Sequence, residues 1–146
     1  DDSLRVPFVV KGPGVKAGAR IDDPIYLQDA MATALDLAGA PKEEQVEFHS
    51  LLPLMRGEKS PASREAIYGA YLELQRAVIH DGWKLILYPK AKVARLYHLT
   101  EDPLEMTDLA NEPAQAKRKG GLFKRLLGLQ KDLADPLDLV AAFPEL

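Results

Sequence analysis

Three histidines are the side chains of this 146-residue chain that could act as general bases near neutral pH or bind a metal. His80 and His98 stand within strand-like runs, and none of the three has a partner at the spacing of a metal-binding pair. His49 stands in a turn, where a histidine side chain can face a ligand. We therefore take His49 as a candidate contact residue and predict no metal site in this chain.

Other chemistry-bearing patterns are weak. The chain contains no cysteine, which excludes disulfides, thiolate zinc sites and cysteine nucleophiles. The neighbouring carboxylates Asp22 and Asp23 are predicted to point to opposite sides of an extended chain, so they would not share a proton or a cation. The turn at Gly12 lacks the spacing of a phosphate-binding loop. The residues thus predict a unit without an active site of its own.

Composition indicates an ordinary globular chain that is long enough to bury a core. The apolar fraction is 47%, the charged fraction is 28% and the formal net charge is −3. This charge argues against a nucleic-acid partner, which needs a clustered positive field. No apolar run approaches the roughly 20 residues that span a bilayer, so we expect no membrane partner. No signal peptide heads the sequence. If the parent protein is exported, its signal was removed or is not included in this chain.

The first elements that must position such residues are a strand and a helix. Residues 8–10 form an aromatic and β-branched run between Pro7 and the turn at Gly12, which is typical of a strand buried on both faces. A helix is predicted next, with Asp29 as its N-cap and Gly39 near its end. Its expected apolar stripe consists of Met31, Ala34, Leu35 and Ala38.

Three strand-like runs follow a polar connector. They are "EAIYGAYLE", "QRAVIHDGWKLILYP" and "KVARLYHLTED", and Asp81-Gly82 predicts a tight turn inside the second. Successive strands without intervening helices indicate an antiparallel sheet. A helix is then expected with a break at Gly120 and Gly121, because glycine disfavours a helix interior. Its predicted apolar face carries Leu122, Leu126, Leu129 and Leu133. The tail after Pro136 is predicted to be loosely held, although Leu139, Val140 and Phe143 could dock.

Five motifs occur in an order that identifies a family. These are "SLRVPFVVKGPGVKAG", "YLQDAMATALDLAGAP", "FHSLLPLMRGE", "QRAVIHDGWKLILYP" and "RLYHLTEDPLEMTDLANEP", which together cover about residues 3 to 113. This order resembles the C-terminal portion of type I, formylglycine-dependent sulfatases of the alkaline phosphatase superfamily, and is closest to bacterial exported sulfatases that act on sulfated sugars.

The resemblance implies an α+β fragment of an α/β sulfatase fold. It implies that residues 1–45 are a strand and a helix remaining from the large N-terminal domain and that residues 46–66 are a connector. Residues 67–146 would form the small C-terminal subdomain, an antiparallel sheet of about four strands with a packed C-terminal helix. The implied partner is the N-terminal sulfatase domain of the parent protein.

The resemblance also implies where catalysis occurs. In such sulfatases a formylglycine attacks the sulfate and a calcium ion is held by carboxylates and an amide, and both lie upstream of this chain. The segment "SPASR", Ser60 to Arg64, is similar to the formylglycine signature, but Pro61 stands one position too early. No catalytic residue or cofactor is therefore expected in this chain, which alone is predicted to be inactive.

By its position in such enzymes, the subdomain is expected to contact the sugar around the sulfate. The candidate substrate-binding residues are His49, Tyr71, Gln75 and Arg76. Arg76 suits a bidentate oxyanion, but a structural ion pair with a buried carboxylate is an equal alternative. The implied ligand is a sulfated small molecule or glycan, and the parent is expected to be exported to the bacterial periplasm or secreted.

Two other functions stay open from the sequence. The parent could be a related hydrolase of phospho- or phosphonate esters, because the nucleophile lies outside this chain. The chain could instead be a stand-alone binding or interaction module. As a fragment, it is expected to self-associate through Phe8, Val10, Met31 and Leu35.

Overall fold

A computed structural model describes residues 4–146, which form two compact units. One unit comprises residues 6–65, and the other comprises residues 66–146 together with residues 4–5. The boundary between residues 65 and 66 lies inside the predicted connector. The division into segments 1–45, 46–66 and 67–146 stays a prediction.

The second unit contains a four-stranded antiparallel sheet in which the strands lie in chain order. These runs are rich in the β-branched and aromatic residues that favour strands, such as Val78, Ile79 and Trp83. The strands are β1 (Ala66–Tyr71), β2 (Gln75–His80), β3 (Trp83–Tyr88) and β4 (Val93–His98). The predicted antiparallel sheet is confirmed.

The turn between β2 and β3 is set by Asp81 and Gly82. Both have positive φ, 50° and 71°, which is the conformation of a type I′ hairpin turn. His80 pairs directly with Trp83 across it. A Cβ atom at Gly82 would overlap the hydroxyl of Thr100, so glycine is required there both by conformation and by space. The hairpin predicted from the Asp-Gly dipeptide is confirmed.

A 17-residue helix, α3 (Ala116–Asp132), packs on the sheet. Its buried apolar side chains are Leu122, Phe123 and Leu126, and they meet Val78, Leu85, Leu87 and Leu96 in the core. The predicted break at Gly120 and Gly121 is wrong, because the helix runs through both residues. Burial of the flanking apolar face offsets the cost of about 1 kcal/mol that each glycine adds.

The chain after Pro136 is docked more firmly than predicted. Asp138 caps a one-turn helix, Leu139–Ala142, and its carboxylate accepts a hydrogen bond of 2.9 Å from the amide of Ala141. Leu139 and Phe143 are each only 1% exposed and complete the core under the sheet. Burial of two large side chains therefore holds this tail in place.

The first unit contains two helices, α1 (Asp29–Leu37) and α2 (Leu52–Met55). The end of α1 is a Schellman motif, in which the amide of Gly39 donates to Asp36 and that of Ala40 donates to Leu35. Gly39 has a φ of 63°, as this motif requires. The predicted end of the helix is confirmed.

Two predictions for this unit are wrong. Residues 6–10 form no strand. All strand pairing within the described residues 4–146 involves residues 66–98, so the backbone of residues 6–10 has no neighbouring strand to bond with. The predicted apolar stripe of α1 is not its buried face. Ala32 and Thr33 are buried, whereas Met31 is 51% exposed.

Candidate functional site

The loop that joins β1 to β2 presents three of the predicted contact residues. Tyr71 and Gln75 face each other as the last pair of the two strands, and the amide of Leu74 donates to the carbonyl of Tyr71 at 3.0 Å. The ring of Tyr71 is largely exposed and Gln75 is half-buried. The hairpin end therefore offers an aromatic surface beside an amide, both of which are suited to contact with a polar ring such as a sugar.

Arg76 lies next to this pair but is buried in an ion pair. Its Nε donates to Oδ2 of Asp135 at 2.6 Å and its Nη2 donates to Oδ1 at 3.0 Å. Its Nη1 donates to the carbonyl oxygens of Leu72 and Gln75. The structural ion pair that the sequence left open is thus present, while a contact of Arg76 with substrate stays a prediction.

Tyr68 completes this cluster from β1. Its hydroxyl donates to Oδ2 of Asp135 at 2.6 Å. The hydrogen bond from Arg76, with that from Tyr68, holds the pKa of Asp135 well below its usual range despite burial. Burial and the neighbouring Asp135 raise the pKa of Tyr68. At neutral pH the cluster is therefore an ionised carboxylate held by a guanidinium and a protonated phenol.

His49 belongs to the other unit, where it lies next to a buried carboxylate. The backbone amide of His49 donates to Oδ1 of Asp29 at 3.1 Å, and its side chain is half-buried. Asp29 is 0% exposed and also accepts from the amide of Tyr26 at 2.8 Å. Asp29 is the first residue of α1 rather than its N-cap, which is Gln28. The N-cap prediction is wrong because the Asp29 carboxylate binds loop groups instead.

Arg64 neutralises the buried Asp29. Its Nη1 donates to Oδ2 at 2.6 Å and its Nη2 to Oδ1 at 2.9 Å, and its guanidinium stacks on the ring of Tyr26 at 4.5 Å. Burial raises the pKa of Asp29, but the hydrogen bonds from Arg64, His49 and Tyr26 outweigh it, so the net shift is downward. This bidentate pair fixes the Asp29 carboxylate, which in turn binds the backbone amide of His49.

The partners of these two arginines were not predicted. Asp135 lies 59 residues from Arg76 in the chain, and Arg64 lies 35 residues from Asp29. In the sequence, Arg64 stands out only as part of "SPASR", and no motif singles out Asp135. A buried arginine needs a carboxylate, but the sequence alone does not say which of 22 acidic residues supplies it.

The part of the chain that the structure describes does not fit a sulfatase metal centre. No group of three or more His, Cys, Asp or Glu side chains within residues 4–146 is placed to hold a metal ion. The position of Ser60 departs from the formylglycine signature, and no cysteine is present. Over the same residues, every helix is too short or too polar to cross a bilayer.

Tyr71, Gln75 and Arg76 are thus brought together on one hairpin, and His49 is held in the other unit. The assignment of these four residues to substrate binding stays a prediction. The Arg76–Asp135 pair anchors the hairpin to the segment that follows α3.

Several known proteins similar to this chain are sulfatases. Human arylsulfatase K is 29% identical over 121 residues, which are 74% of this chain and 23% of the relative. The Δ4,5-hexuronate-2-O-sulfatase of Bacteroides thetaiotaomicron is 29% identical over 127 residues, 80% of this chain and 26% of that protein. The chain therefore spans about a quarter of the length of these two relatives.

Comparison of folds gives the same result. A putative sulfatase from Bacteroides thetaiotaomicron matches with a TM-score of 0.72 and 27% identity, over 85% of this chain and 29% of the solved chain. The sheet with its C-terminal helix matches the C-terminal subdomain of such structures, and the resemblance inferred from the five motifs is confirmed.

The family model for the C-terminal region of N-sulphoglucosamine sulphohydrolase matches residues 1–132, nearly the whole chain. The extent of this match and the order of the sheet and helix together assign the sequence to this family. The chain belongs to the N-sulphoglucosamine sulphohydrolase C-terminal family of sulfatases.

Proposed function

We propose that this chain is the C-terminal part of a sulfuric ester hydrolase that removes sulfate from sulfated carbohydrates. The observation that carries the proposal is the family match over residues 1–132. The names of the matched family and of the bacterial relative refer to sulfated glucosamine and sulfated hexuronate, which favours a sulfated sugar as the substrate.

The catalytic centre of the proposed enzyme lies in another part of the parent protein. The resemblance to formylglycine-dependent sulfatases implies a calcium ion and a formylglycine in the parent, and no group of side chains among the described residues of this chain fits the metal. The N-terminal sulfatase domain is accordingly the proposed partner. Alone, this chain would not hydrolyse sulfate esters.

The hairpin end is the proposed contribution of this chain to substrate recognition. Tyr71 offers a ring for stacking on a sugar, and the Gln75 amide donates to and accepts from hydroxyl or sulfate oxygens. Arg76 acts mainly as a positioning residue, because Asp135 and two carbonyls engage its donors. His49 is proposed as a further contact from the loop held by Asp29.

We propose in addition that the parent is exported, to the periplasm or the cell exterior. Sulfated polysaccharides are large and charged, so an enzyme that processes them must meet them outside the cytoplasm. Fractionation of the native organism with antibodies against this chain would test this location. Recovery only from the cytoplasm would contradict it.

The test of the proposed activity uses the full parent protein. Its hydrolysis of N-sulfated glucosamine and of a 2-sulfated unsaturated hexuronate is compared with its hydrolysis of a phenyl phosphonate monoester. The proposal expects a kcat/KM at least 100-fold higher for one of the sulfated sugars. A preference for the phosphonate would favour the alternative superfamily hydrolase.

A further inference from the structure

The outward side of α3 is strongly basic in a chain whose net charge is −3. Between Ala116 and Asp132 the sequence has six basic residues and one acidic residue. Lys117, Lys124 and Lys131 recur every seven residues, which is close to two helical turns, so they lie along one side. They form a row about 21 Å long, at 1.5 Å per residue.

These three lysines are all exposed. None of them makes an ion pair with a carboxylate among residues 4–146. Arg118 and Arg125 form a second row with the same seven-residue spacing. Two parallel rows of cations on one rigid helix create a fixed positive field.

Arg118 is pre-positioned by an aromatic stack. Its guanidinium lies 4.4 Å from the centre of the Trp83 ring, and Trp83 stacks on His98 at 4.2 Å with 8° between the ring planes. Such stacking fixes the plane of the guanidinium and leaves its edge N–H groups to bind an oxyanion. Less side-chain freedom is then lost on binding a ligand.

A groove of about 260 Å³ lies between the second row and the β2–β3 turn. Gly121 lines it, and a Cβ atom there would meet no atom within 4 Å outside its own helix turn. A larger side chain at this position would therefore have open space to extend into. It is lined by His80, Asp81, Arg118, Gly121, Leu122 and Arg125. The Asp81 carboxylate adds an acceptor for hydroxyl groups.

We propose that a sulfated polysaccharide chain binds to the basic face of α3, which consists of Lys117, Arg118, Lys124, Arg125 and Lys131. This binding site is an anchor, separate from the site at which sulfate is hydrolysed. The choice of a sulfated glycan rests on the proposed function, whereas the need for a linear polyanion rests on the two rows of cations. Sulfate groups accept the bidentate bonds that arginine offers, and the carboxylate of Asp81 suits sugar hydroxyls. The anchor keeps a long substrate near the enzyme between cleavages.

A nucleic acid fits this surface less well. Single strands bind largely by stacking bases on aromatic side chains. The ring of Trp83 is only 7% exposed because its faces are occupied by Arg118 and His98. The surface therefore offers positive charge without a stacking platform.

The test measures binding of a heparin-derived octasaccharide by the 146-residue chain, through the fluorescence of its single tryptophan. Binding at Arg118 changes the surroundings of Trp83, so the signal reports the proposed site directly. The expected results are a saturable fluorescence change, an affinity that falls with salt, and at least tenfold weaker binding by R118Q/R125Q. The matched control K11Q/K16Q removes the same charge from the other unit and should change affinity less than twofold.

A second variant separates binding from folding. Gly121→Leu fills the groove with a residue that favours helix, so it should raise the melting temperature and still weaken octasaccharide binding at least fivefold. The proposal would be overturned if the octasaccharide did not bind, or if the control variant K11Q/K16Q lost as much affinity as R118Q/R125Q. It would also be overturned if a desulfated octasaccharide or a DNA oligonucleotide bound as tightly as the sulfated octasaccharide. Because no hydrolysis is measured, these outcomes are independent of the test of activity in the parent.

Discussion

Arg76 and Asp135 lie 59 residues apart in the chain and form a bidentate pair with distances of 2.6 and 3.0 Å. This pair ties the β1–β2 hairpin to the segment that follows α3. The side chains of both residues are nearly buried, at 7% and 11% exposure. The hairpin that carries Tyr71 and Gln75 is therefore held by a charge pair rather than by apolar packing alone.

Removing one partner of this pair should destabilise the chain strongly. Asp135→Asn leaves the guanidinium of Arg76 buried without its counter-charge, which costs about 3 kcal/mol of unfolding free energy. Urea denaturation would measure the loss. Glu73→Gln is the control, because its ion pair with Lys90 is exposed and screened by solvent, so its loss should change stability far less. Equal losses of unfolding free energy in the two variants would show that the buried pair stabilises the chain no more than the exposed pair does.

The hairpin contacts should appear in the kinetics of the parent enzyme. Tyr71→Ala and Gln75→Ala remove the proposed contacts to the sugar, so we expect KM to rise about tenfold, which corresponds to about 1.4 kcal/mol. Leu104→Ala is the control, because Leu104 lies in the same unit and is 79% exposed. An unchanged KM in both hairpin variants would remove this hairpin from substrate binding.

Acid should destabilise the chain through Asp29 and Asp135, whose pKa values are both lowered by their partners in the folded state. A lowered carboxyl pKa means that the unfolded state binds more protons, so stability falls as the pH drops below about 4. The contribution is present at higher pH and is lost as the pH falls towards the folded-state pKa values. Unfolding followed from pH 7 to pH 2 would measure it. Asp135→Asn should lose part of this pH dependence, and an unchanged acid profile would contradict the assignment.

Substitution of two glycines by alanine should change the stability of the chain in opposite directions. Gly121→Ala places a methyl group where no atom lies within 4 Å, and should stabilise the helix by up to about 1 kcal/mol. Gly82→Ala should destabilise by more than about 1 kcal/mol, because the residue has a φ of 71° and faces Thr100. Melting temperatures of the pair would check this. A destabilising effect of Gly121→Ala would show that the helix geometry is wrong at that position.

The isolated chain should self-associate through the first unit. Phe8 is 41% exposed, Val10 is 39% and Met31 is 51%, while Leu35 is half-buried, so three of the four predicted residues present apolar side chains to solvent. Sedimentation velocity at increasing concentration should show species larger than 16.1 kDa. Met31→Glu should shift the distribution towards monomer, whereas a strictly monomeric wild-type chain would contradict the prediction.

The sheet was predictable from sequence because its signals are local. The Asp81-Gly82 turn and the strand-like runs predict an antiparallel meander without any knowledge of distant contacts. The helix through Gly120 and Gly121 was not predictable, because packing of Leu122 and Phe123 on the sheet overrides local propensity. The strand expected at residues 8–10 fails for the opposite reason, since its pattern is local but its stability depends on a neighbouring strand.

The candidate site was predictable only as a position in the chain. The hairpin residues follow from the family motif, whereas the engagement of Arg76 by Asp135 depends on a fold that joins residues far apart. The basic face of α3 was visible as a charged run, but its link to Trp83 depends on how the helix crosses the β2–β3 turn.

Sulfate release is the most direct test of the central claim that this chain is the recognition part of a sulfatase whose catalysis occurs elsewhere. Free sulfate is measured after incubation of N-sulfated glucosamine, or of the 2-sulfated unsaturated hexuronate, with the full parent, with the parent lacking residues 66–146, and with this chain alone. The account predicts release by the full parent and none by this chain, with a markedly raised KM or loss of activity in the truncated parent. Sulfate release by this chain alone, or full activity of a folded truncated parent, would contradict it.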